Sequence, residues 1–173
     1  MKGMLKGVAA LALASALFTT SAQAQGVRFG VAGDGIFSLE EGGGSDFGAA
    51  VMAEFGGSGS SPIGFRIDAA YIFDPEIIIF RGNVLYTFMT SEESKFHPYL
   101  LGTAGYLTNS DFEGGDFLAG AGAGFNIMME NSSITPFVEA AFINEFAEDL
   151  AGESQSVQFV DVRLGVKIGT GGN

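Results

Sequence analysis

The sequence lacks cysteine and tryptophan, contains one histidine, and has only 8 Lys and Arg residues among 173. The absence of cysteine excludes a disulfide framework and a lipid-modified N-terminal cysteine. The few basic residues stand against 20 acidic ones, so the chain cannot build a basic surface for nucleic acid, and we expect no nucleic-acid partner.

Long apolar runs are also scarce, and the main one lies at the start of the chain. Lys2 and Lys6 precede an apolar stretch at residues 8–18, and Ala22-Gln23-Ala24 offers small residues for cleavage. This layout predicts a secretory signal peptide over residues 1–24. Its apolar part is too short for a membrane-spanning helix, which needs about 20 residues. Residues 25–173 contain no apolar run of that length. A membrane domain there has to be a closed barrel, because only helices and closed barrels satisfy every backbone polar group in lipid.

The clearest pattern that the sequence does contain is alternation near its end. In residues 157–168 one parity is occupied by Val160, Val162, Leu164, Val166 and Ile168, and the other by Asp161, Arg163, Gly165 and Lys167. Successive side chains of a strand point to opposite faces, so the pattern predicts a strand with one apolar and one charged face.

Eight segments share this alternation and are bounded by Gly, Ser, Asn, Asp or Pro. They are residues 27–37, 46–55, 63–73, 76–89, 96–107, 116–128, 134–143 and 157–168. Most are near the about 9–11 residues of a tilted membrane strand. Aromatic residues near segment ends, such as Phe55, Phe73 and Phe88, are typical of the girdles at membrane interfaces. We therefore predict an all-β fold over residues 25–173, an eight-stranded antiparallel up-and-down transmembrane β-barrel.

The polar faces of these segments carry equal numbers of opposite charges. The basic residues are Arg28, Arg66, Arg81, Arg163 and Lys167, and the acidic ones are Asp34, Glu54, Asp68, Glu139 and Asp161. Side chains just fill the interior of an eight-stranded barrel, and buried charges persist only when paired. We predict a neutral ion-pair network in the lumen. The alternative is that the same charges line a narrow path for small solutes.

The connections show a second charge pattern. A signal peptide leaves the N-terminus in the periplasm, which predicts that residues 38–45, 74–75, 108–115 and 144–156 face outward. With their edges, these carry no base and the acids Glu40, Glu41, Asp46, Asp74, Glu76, Asp111, Glu113, Asp116, Glu145, Glu148, Asp149 and Glu153. We interpret them as a solvated, repulsive surface. The alternative is divalent-cation binding or bridging to lipopolysaccharide, although no loop has the spacing of an EF-hand. An Asn cap and a Gly stop also predict a short helix over residues 144–152.

Two glycine-rich runs, residues 30–35 and 120–124, have a superficial likeness to nucleotide-binding loops. Neither opens a helix after a buried strand, as phosphate binding requires. Glycine in a barrel strand instead permits bending and leaves room for larger lumen side chains. We predict that the glycines at 120, 122 and 124 face Arg81, Tyr99 or Arg163.

The signal peptide, the eight segments and two strand starts, Phe96-His97-Pro98-Tyr99 and Thr135-Pro136-Phe137, resemble the small eight-stranded outer-membrane barrels of Gram-negative bacteria, the OmpA/OmpX-like family. The family usually ends its last strand on an aromatic residue that assists assembly, whereas here Ile168 is followed by Gly169-Thr170-Gly171-Gly172-Asn173. Some members are lipid-modifying enzymes that use a His with Ser and an acid. Because His97 falls at the periplasmic end, far from the outer leaflet, we expect it to be a hydrogen-bonded or solvated side chain.

These observations predict a monomeric outer-membrane protein with a structural or surface-interaction role, such as membrane integrity, exerted through its acidic outer loops. Its expected neighbours are outer-membrane lipid and lipopolysaccharide, and we expect neither catalysis nor a cofactor or metal site. Two alternatives stay open. One is a narrow porin-like channel, and the other is a soluble periplasmic lipocalin-like barrel, which places the apolar face inside to bind an apolar ligand.

Overall fold

The computed structural model describes residues 27–57, 61–88, 90, 94–112, 114–130, 132–148 and 154–169. This part of the chain forms eight strands: β1 (Val27–Ser38), β2 (Ser45–Gly56), β3 (Ile63–Ile72), β4 (Ile77–Thr87), β5 (Phe96–Asn109), β6 (Asp116–Ile127), β7 (Ile134–Glu148) and β8 (Ser154–Gly169). The predicted signal peptide, residues 1–24, lies outside the described residues. Within the described ranges, no helix has the length and apolarity needed to cross a membrane.

The strands close into one antiparallel barrel, which confirms the predicted fold class. Each strand pairs with its neighbours in sequence, and β8 pairs with β1. Following paired residues once around the barrel from Arg28 returns to β1 at Ser38, ten residues farther along, by way of Glu54, Arg66, Asn83, Thr103, Gly120, Ile143 and Phe159. This stagger tilts the strands relative to the barrel axis, so residues far apart in sequence share one level of the lumen.

The barrel has two distinct ends. One end, here called the loop end, carries the β1–β2, β3–β4, β5–β6 and β7–β8 connections. The other, the termini end, carries the start of β1, the end of β8 and the remaining three connections. The predicted acidic connections therefore all lie at the loop end.

The outside of the barrel is apolar along its length. Phe65, Ile67 and Leu164 are 58%, 60% and 66% exposed. Edge-to-face aromatic pairs occur towards both ends, with Phe37–Phe47 at the loop end and Tyr86–Phe88 at the termini end. A continuous exposed apolar surface of this kind is typical of a wall in contact with lipid.

The inside of the barrel also contains an apolar layer, which the charge pattern of the sequence did not predict. At the loop end, apolar side chains help to line a cavity of about 160 Å³. We call six of them, which face inward, the apolar cap: Ile36, Ile72, Ile77, Ile79, Leu107 and Phe159. Below the cap, towards the termini end, the inward positions become charged. The lumen is thus layered, with apolar packing above a polar core.

The last hairpin differs most from the prediction. β7 and β8 stay paired out to Glu148 and Ser154, so the predicted helix over residues 144–152 is wrong for its strand residues 144–148, and residues 149–153 lie outside the described residues. The reason is that the alternation continues past residue 143. Phe146 lies outward opposite Phe117, and the ladder to β8 supplies backbone hydrogen bonds that a single short helix, marginal on its own, does not match.

Candidate functional site in the barrel lumen

The structure brings all ten predicted lumen charges into the barrel. Their strands are β1 for Arg28 and Asp34, β2 for Glu54, β3 for Arg66 and Asp68, β4 for Arg81, β7 for Glu139, and β8 for Asp161, Arg163 and Lys167. Nine are buried, and the side chain of Arg28 is 12% exposed. They form two groups: a central cluster of seven side chains and a basal cluster of three near the termini end.

The central cluster is organised around Arg81. Its Nε donates to Asp68 Oδ1 at 2.7 Å, Nη1 to Asp161 Oδ2 at 2.5 Å, and Nη2 to Asp34 Oδ2 at 2.8 Å. Because β4 and β8 lie on opposite sides of an eight-stranded ring, this one guanidinium spans the lumen. Charge-assisted hydrogen bonds of this length are among the strongest in proteins.

Arg66 forms a second bridge across the lumen, from β3 to β7. It binds Glu139 in a bidentate fork, with Nη1 to Oε2 and Nη2 to Oε1 both at 2.8 Å. Arg163 lies between the two bridges, 3.1 to 3.3 Å from four carboxylates, those of Asp34, Asp68, Glu139 and Asp161. The central cluster thus comprises Arg66, Arg81, Arg163, Asp34, Asp68, Glu139 and Asp161.

Two neutral side chains complete the central cluster. Tyr99 donates its hydroxyl to Glu139 Oε2 at 2.7 Å, and Asn83 donates Nδ2 to Asp68 Oδ2 at 2.7 Å. Both were absent from the predicted network, although both have the inward parity of their charged neighbours. That parity is the signal that identifies them, because every inward polar side chain in a filled lumen needs a partner.

The basal cluster consists of Arg28, Glu54 and Lys167. Glu54 accepts from Lys167 Nζ at 2.9 Å and lies 2.6 Å from Arg28 Nη2. The Lys167 ammonium also lies 5.4 and 5.0 Å from the ring centroids of Tyr99 and Phe137, within the range of cation–π attraction. Two cations therefore share one carboxylate, with aromatic faces supplying additional negative potential.

The two clusters divide the charge unevenly. With every group in its usual ionised form, the central cluster has four carboxylates against three guanidinium groups, and the basal cluster has two cations against one carboxylate. The lumen is neutral only as a whole. Removing one partner of a buried ion pair is strongly destabilising, so the network constrains which side chains the lumen tolerates.

The acidic residues at the loop end are spread around the rim. Glu40, Glu41, Asp74 and Asp111 are exposed, and half-buried Glu145 is repelled by Asp116 and Glu40. The predicted residues Glu113, Asp149 and Glu153, and the side chain of Glu148, lie outside what the structure describes. Within the described ranges, no three metal-ligating side chains are arranged to hold an ion.

His97 is the second residue of β5, at the termini end. Its Nε2 is 3.0 Å from the Ser94 carbonyl oxygen, so Nε2 carries the donated proton, and Nδ1 is 3.3 Å from the Thr90 hydroxyl. Both ring nitrogens are therefore engaged by the connection that precedes β5. This local bonding fixes the tautomer and gives the ring a structural role in the turn.

The inward glycines of β6 meet different neighbours from those predicted in two cases of three. A Cβ at Gly124 would lie 2.6 Å from the Tyr99 ring, as expected. Gly122 instead faces Ala141, and Gly120 faces Ile143. The stagger causes the difference, because it pairs Gly122 with Ala141 and moves Arg81 beside Gly105 on β5.

A shallow groove of about 710 Å³ runs over the outer wall, which sequence reasoning did not predict. Its floor contains small residues, including Ala53, Ala69, Gly82 and Ala104, and aromatic side chains such as Phe80 border it. The outward parity of these residues places the groove on the outer surface of the barrel. Small outward residues on four neighbouring strands are the signal that identifies it.

No family model matches this chain, and no curated protein matches it either. Among solved structures, Neisserial surface protein A (NspA) matches with a TM-score of 0.57 and 14% identity, covering 82% of this chain and 94% of that one. The N-terminal β-barrel domain of Pseudomonas aeruginosa OprF matches with a TM-score of 0.52 and 14% identity, covering 83% and 98%. Both are eight-stranded outer-membrane barrels. This chain therefore has the fold of the small eight-stranded outer-membrane barrels.

Proposed function

We propose that this protein is an outer-membrane barrel with a closed lumen, acting structurally and through its exposed acidic loop end rather than as a channel or an enzyme. The observation that carries the proposal is the pair of guanidinium bridges across the lumen, Arg81 to Asp161 and Arg66 to Glu139. Both bridges are buried, and the apolar cap lies above them. Ions crossing the barrel have to break both.

The exterior supports a membrane location. Phe65, Ile67 and Leu164 lie on the outside, whereas a lipocalin-like carrier of an apolar ligand needs such residues inside. The charges occupy the inside, where a soluble carrier keeps its ligand cavity. The arrangement of faces therefore favours lipid contact over the soluble alternative.

The first experiment is expression with the native N-terminal sequence, followed by membrane fractionation and electrophoresis with and without boiling. We expect the protein in the outer membrane, with a mobility that changes on heating because a folded barrel resists detergent. Recovery as a soluble periplasmic protein without this change contradicts the proposal.

The second experiment tests the orientation that the acidic surface requires. Because the chain has no cysteine, single-cysteine variants are uniquely labelled. Glu41→Cys lies at the loop end and Glu130→Cys at the termini end, and both native side chains are exposed. We expect a membrane-impermeant maleimide to label Glu41→Cys in intact cells, and Glu130→Cys only after the outer membrane is permeabilised. The reverse order means that the acidic end faces the periplasm.

The third experiment separates a closed lumen from a narrow channel by recording in planar bilayers. We expect the wild-type protein to give no discrete conductance steps. Changes in the conductance of the bilayer should occur only in variants that remove a bridge, such as Arg81→Gln. Discrete wild-type openings whose ion selectivity changes in Arg81→Gln support the channel alternative and remove the closed lumen from consideration.

A further inference from the structure

The central cluster has an excess of negative charge buried in the lumen. Four carboxylates face three guanidinium groups, and every one of these seven side chains is at most 6% exposed. A net charge buried in this way carries a large desolvation penalty unless another charge compensates it. The surplus cation of the basal cluster is engaged elsewhere, with Glu54 and two aromatic rings.

Two of the four carboxylates are held side by side by one guanidinium. Arg81 Nη2 donates to Asp34 Oδ2 and Arg81 Nη1 donates to Asp161 Oδ2. Arg163 contacts the same two oxygens, with Nε 3.3 Å from Asp34 Oδ2 and Nη2 3.1 Å from Asp161 Oδ2. All of the cationic contacts of this pair therefore converge on the two Oδ2 atoms.

The two Oδ1 atoms are left over. Asp34 Oδ1 and Asp161 Oδ1 are both buried and have no hydrogen-bond partner among the described residues. The two carboxyl groups are thus held against the same two guanidinium groups, Arg81 and Arg163. Neither ionised carboxylate has a donor to offer the other, and two like charges held this close together away from water favour protonation of one of them.

We propose that Asp34 and Asp161 form a proton-binding site, in which one proton is shared between the two carboxyl groups in the folded barrel at neutral pH. The proton makes the central cluster neutral, with three negative charges against three positive ones. It also turns one unpartnered acceptor into a donor for the other. One proton therefore accounts for both the excess negative charge of the cluster and its two carboxyl oxygens without a partner.

The other charged groups around the pair do not offer an equivalent site. Asp68 on β3 uses both oxygens, accepting from Arg81 through Oδ1 and from Asn83 through Oδ2. Glu139 on β7 uses both as well, with Arg66 at each oxygen and Tyr99 of β5 at Oε2. On β2 the facing residues are the uncharged Gly48 and Ala50, and β6 presents glycines. Among the four carboxylates, only Asp34 and Asp161 have an oxygen without a donor.

The direct test is infrared spectroscopy of the folded wild-type protein in detergent or lipid at neutral pH. The C=O stretch of a protonated carboxyl group is separate from the bands of amides and carboxylates. We expect one such band, shifted in deuterium oxide and shifted again when the Asp carboxyl carbons are isotopically labelled. Exposed acids are ionised at this pH and do not contribute. Absence of the band, as expected if both groups are ionised beside a bound cation, overturns the proposal.

Variants assign the band to the pair. In Asp161→Asn the amide nitrogen donates to Asp34 Oδ1 and replaces the proton, so we expect folding as in the wild type and loss of the band. Asp34→Asn should behave in the same way by symmetry. Asp68→Asn removes one carboxylate from the same cluster but presents an amide donor to Arg81 and Asn83, which are already donors. Because this substitution also removes the excess negative charge, we expect it to destabilise the barrel and to weaken the band. Glu41→Gln removes an exposed carboxylate at the loop end, and we expect it to fold as the wild type and keep the full band.

The proton also predicts a pH dependence. When the pair loses it, the cluster regains a net negative charge, so resistance to unfolding should fall as pH rises above neutral and be regained on return. Asp161→Asn keeps the other ionisable side chains of the lumen, including Tyr99 and Lys167, so the difference between wild type and variant isolates the pair. A band that survives in both Asn variants, or an identical alkaline response in wild type and Asp161→Asn, contradicts a shared proton at this site.

Discussion

Arg81 on β4 and Asp34 on β1 meet inside the barrel, with Arg81 Nη2 2.8 Å from Asp34 Oδ2, although they are 47 positions apart in the sequence. The same guanidinium also binds Asp68 on β3 and Asp161 on β8, so one side chain links four strands through the lumen. Most barrels are held by the backbone ladder between neighbouring strands. Here polar side chains add links between strands that do not touch.

The first prediction concerns this hub. Arg81→Gln leaves the carboxylates of Asp34, Asp68 and Asp161 without their main donor. Removing one partner of a buried pair costs about 3–5 kcal/mol, and we expect a loss of stability in that range. The measurement is urea unfolding of the barrel in lipid vesicles, followed by heat-dependent electrophoretic mobility.

The control for this prediction is Lys95→Gln. Lys95 and Glu130 form an ion pair at 3.5 Å, but their side chains are 65% and 81% exposed, so solvent screens the pair. We expect a change below about 1 kcal/mol. Equal effects of the two substitutions mean that the lumen network contributes no more than surface charge.

The second prediction orders the residues of the basal cluster. Glu54→Gln leaves both Lys167 and Arg28 without a carboxylate, whereas Lys167→Met leaves Glu54 paired with Arg28 at 2.6 Å. We expect Lys167→Met to cost about 1–3 kcal/mol, the range for one buried group short of a partner, and Glu54→Gln to cost more. Equilibrium unfolding of the two variants side by side gives the order, and the opposite order rules out this account of the cluster.

The third prediction concerns close packing at Gly124. A Cβ there would meet the Tyr99 ring at 2.6 Å and the Val138 carbonyl oxygen at 2.7 Å, so Gly124→Ala should destabilise the barrel by about 1–3 kcal/mol, as overpacking does. Gly102→Ala on β5 is a matched control, because nothing lies within 4 Å of its Cβ position. We expect the control to fold with near wild-type yield. An unfolding midpoint of Gly124→Ala equal to that of the wild type contradicts this account of the packing.

The fourth prediction separates a lipid-facing wall from a water-facing one. Ile67 lies in the middle of β3 and is 60% exposed. In a bilayer, Lys at mid-depth costs about 2–4 kcal/mol, so Ile67→Lys should impair insertion into vesicles, whereas Leu39→Lys at the loop end should change stability by about 0–1 kcal/mol. Refolding yield in vesicles measures both. If Ile67→Lys instead improves solubility without loss of folding, the wall faces water.

Much of this architecture could be predicted from alternation alone. A residue's position along its own strand determines whether it points inward or outward, so the period of two identified the eight strands and placed Arg81, Asp161 and Lys167 on the inner face. Most strand bounds differ from the prediction by one or two residues. The agreement is close because Gly, Asp and Pro in the connections mark where the strands end. The β7–β8 hairpin is longer than predicted. The sequence there has a local helix signal, and the strand ladder that overrides it depends on the partner strand, which local sequence does not show.

The sequence by itself determined the fold class, the faces and the equal numbers of lumen charges, because all three follow from local periodicity. Only the tertiary structure decided which charges meet. Contacts between Arg81 and Asp161, 80 positions apart, follow from the closure of β8 on β1 and from the ten-residue stagger around the ring. The same stagger moved Gly122 away from the arginines and left one oxygen each of Asp34 and Asp161 without a hydrogen-bond partner among the described residues. Register is a relation between strands, so no single segment encodes it.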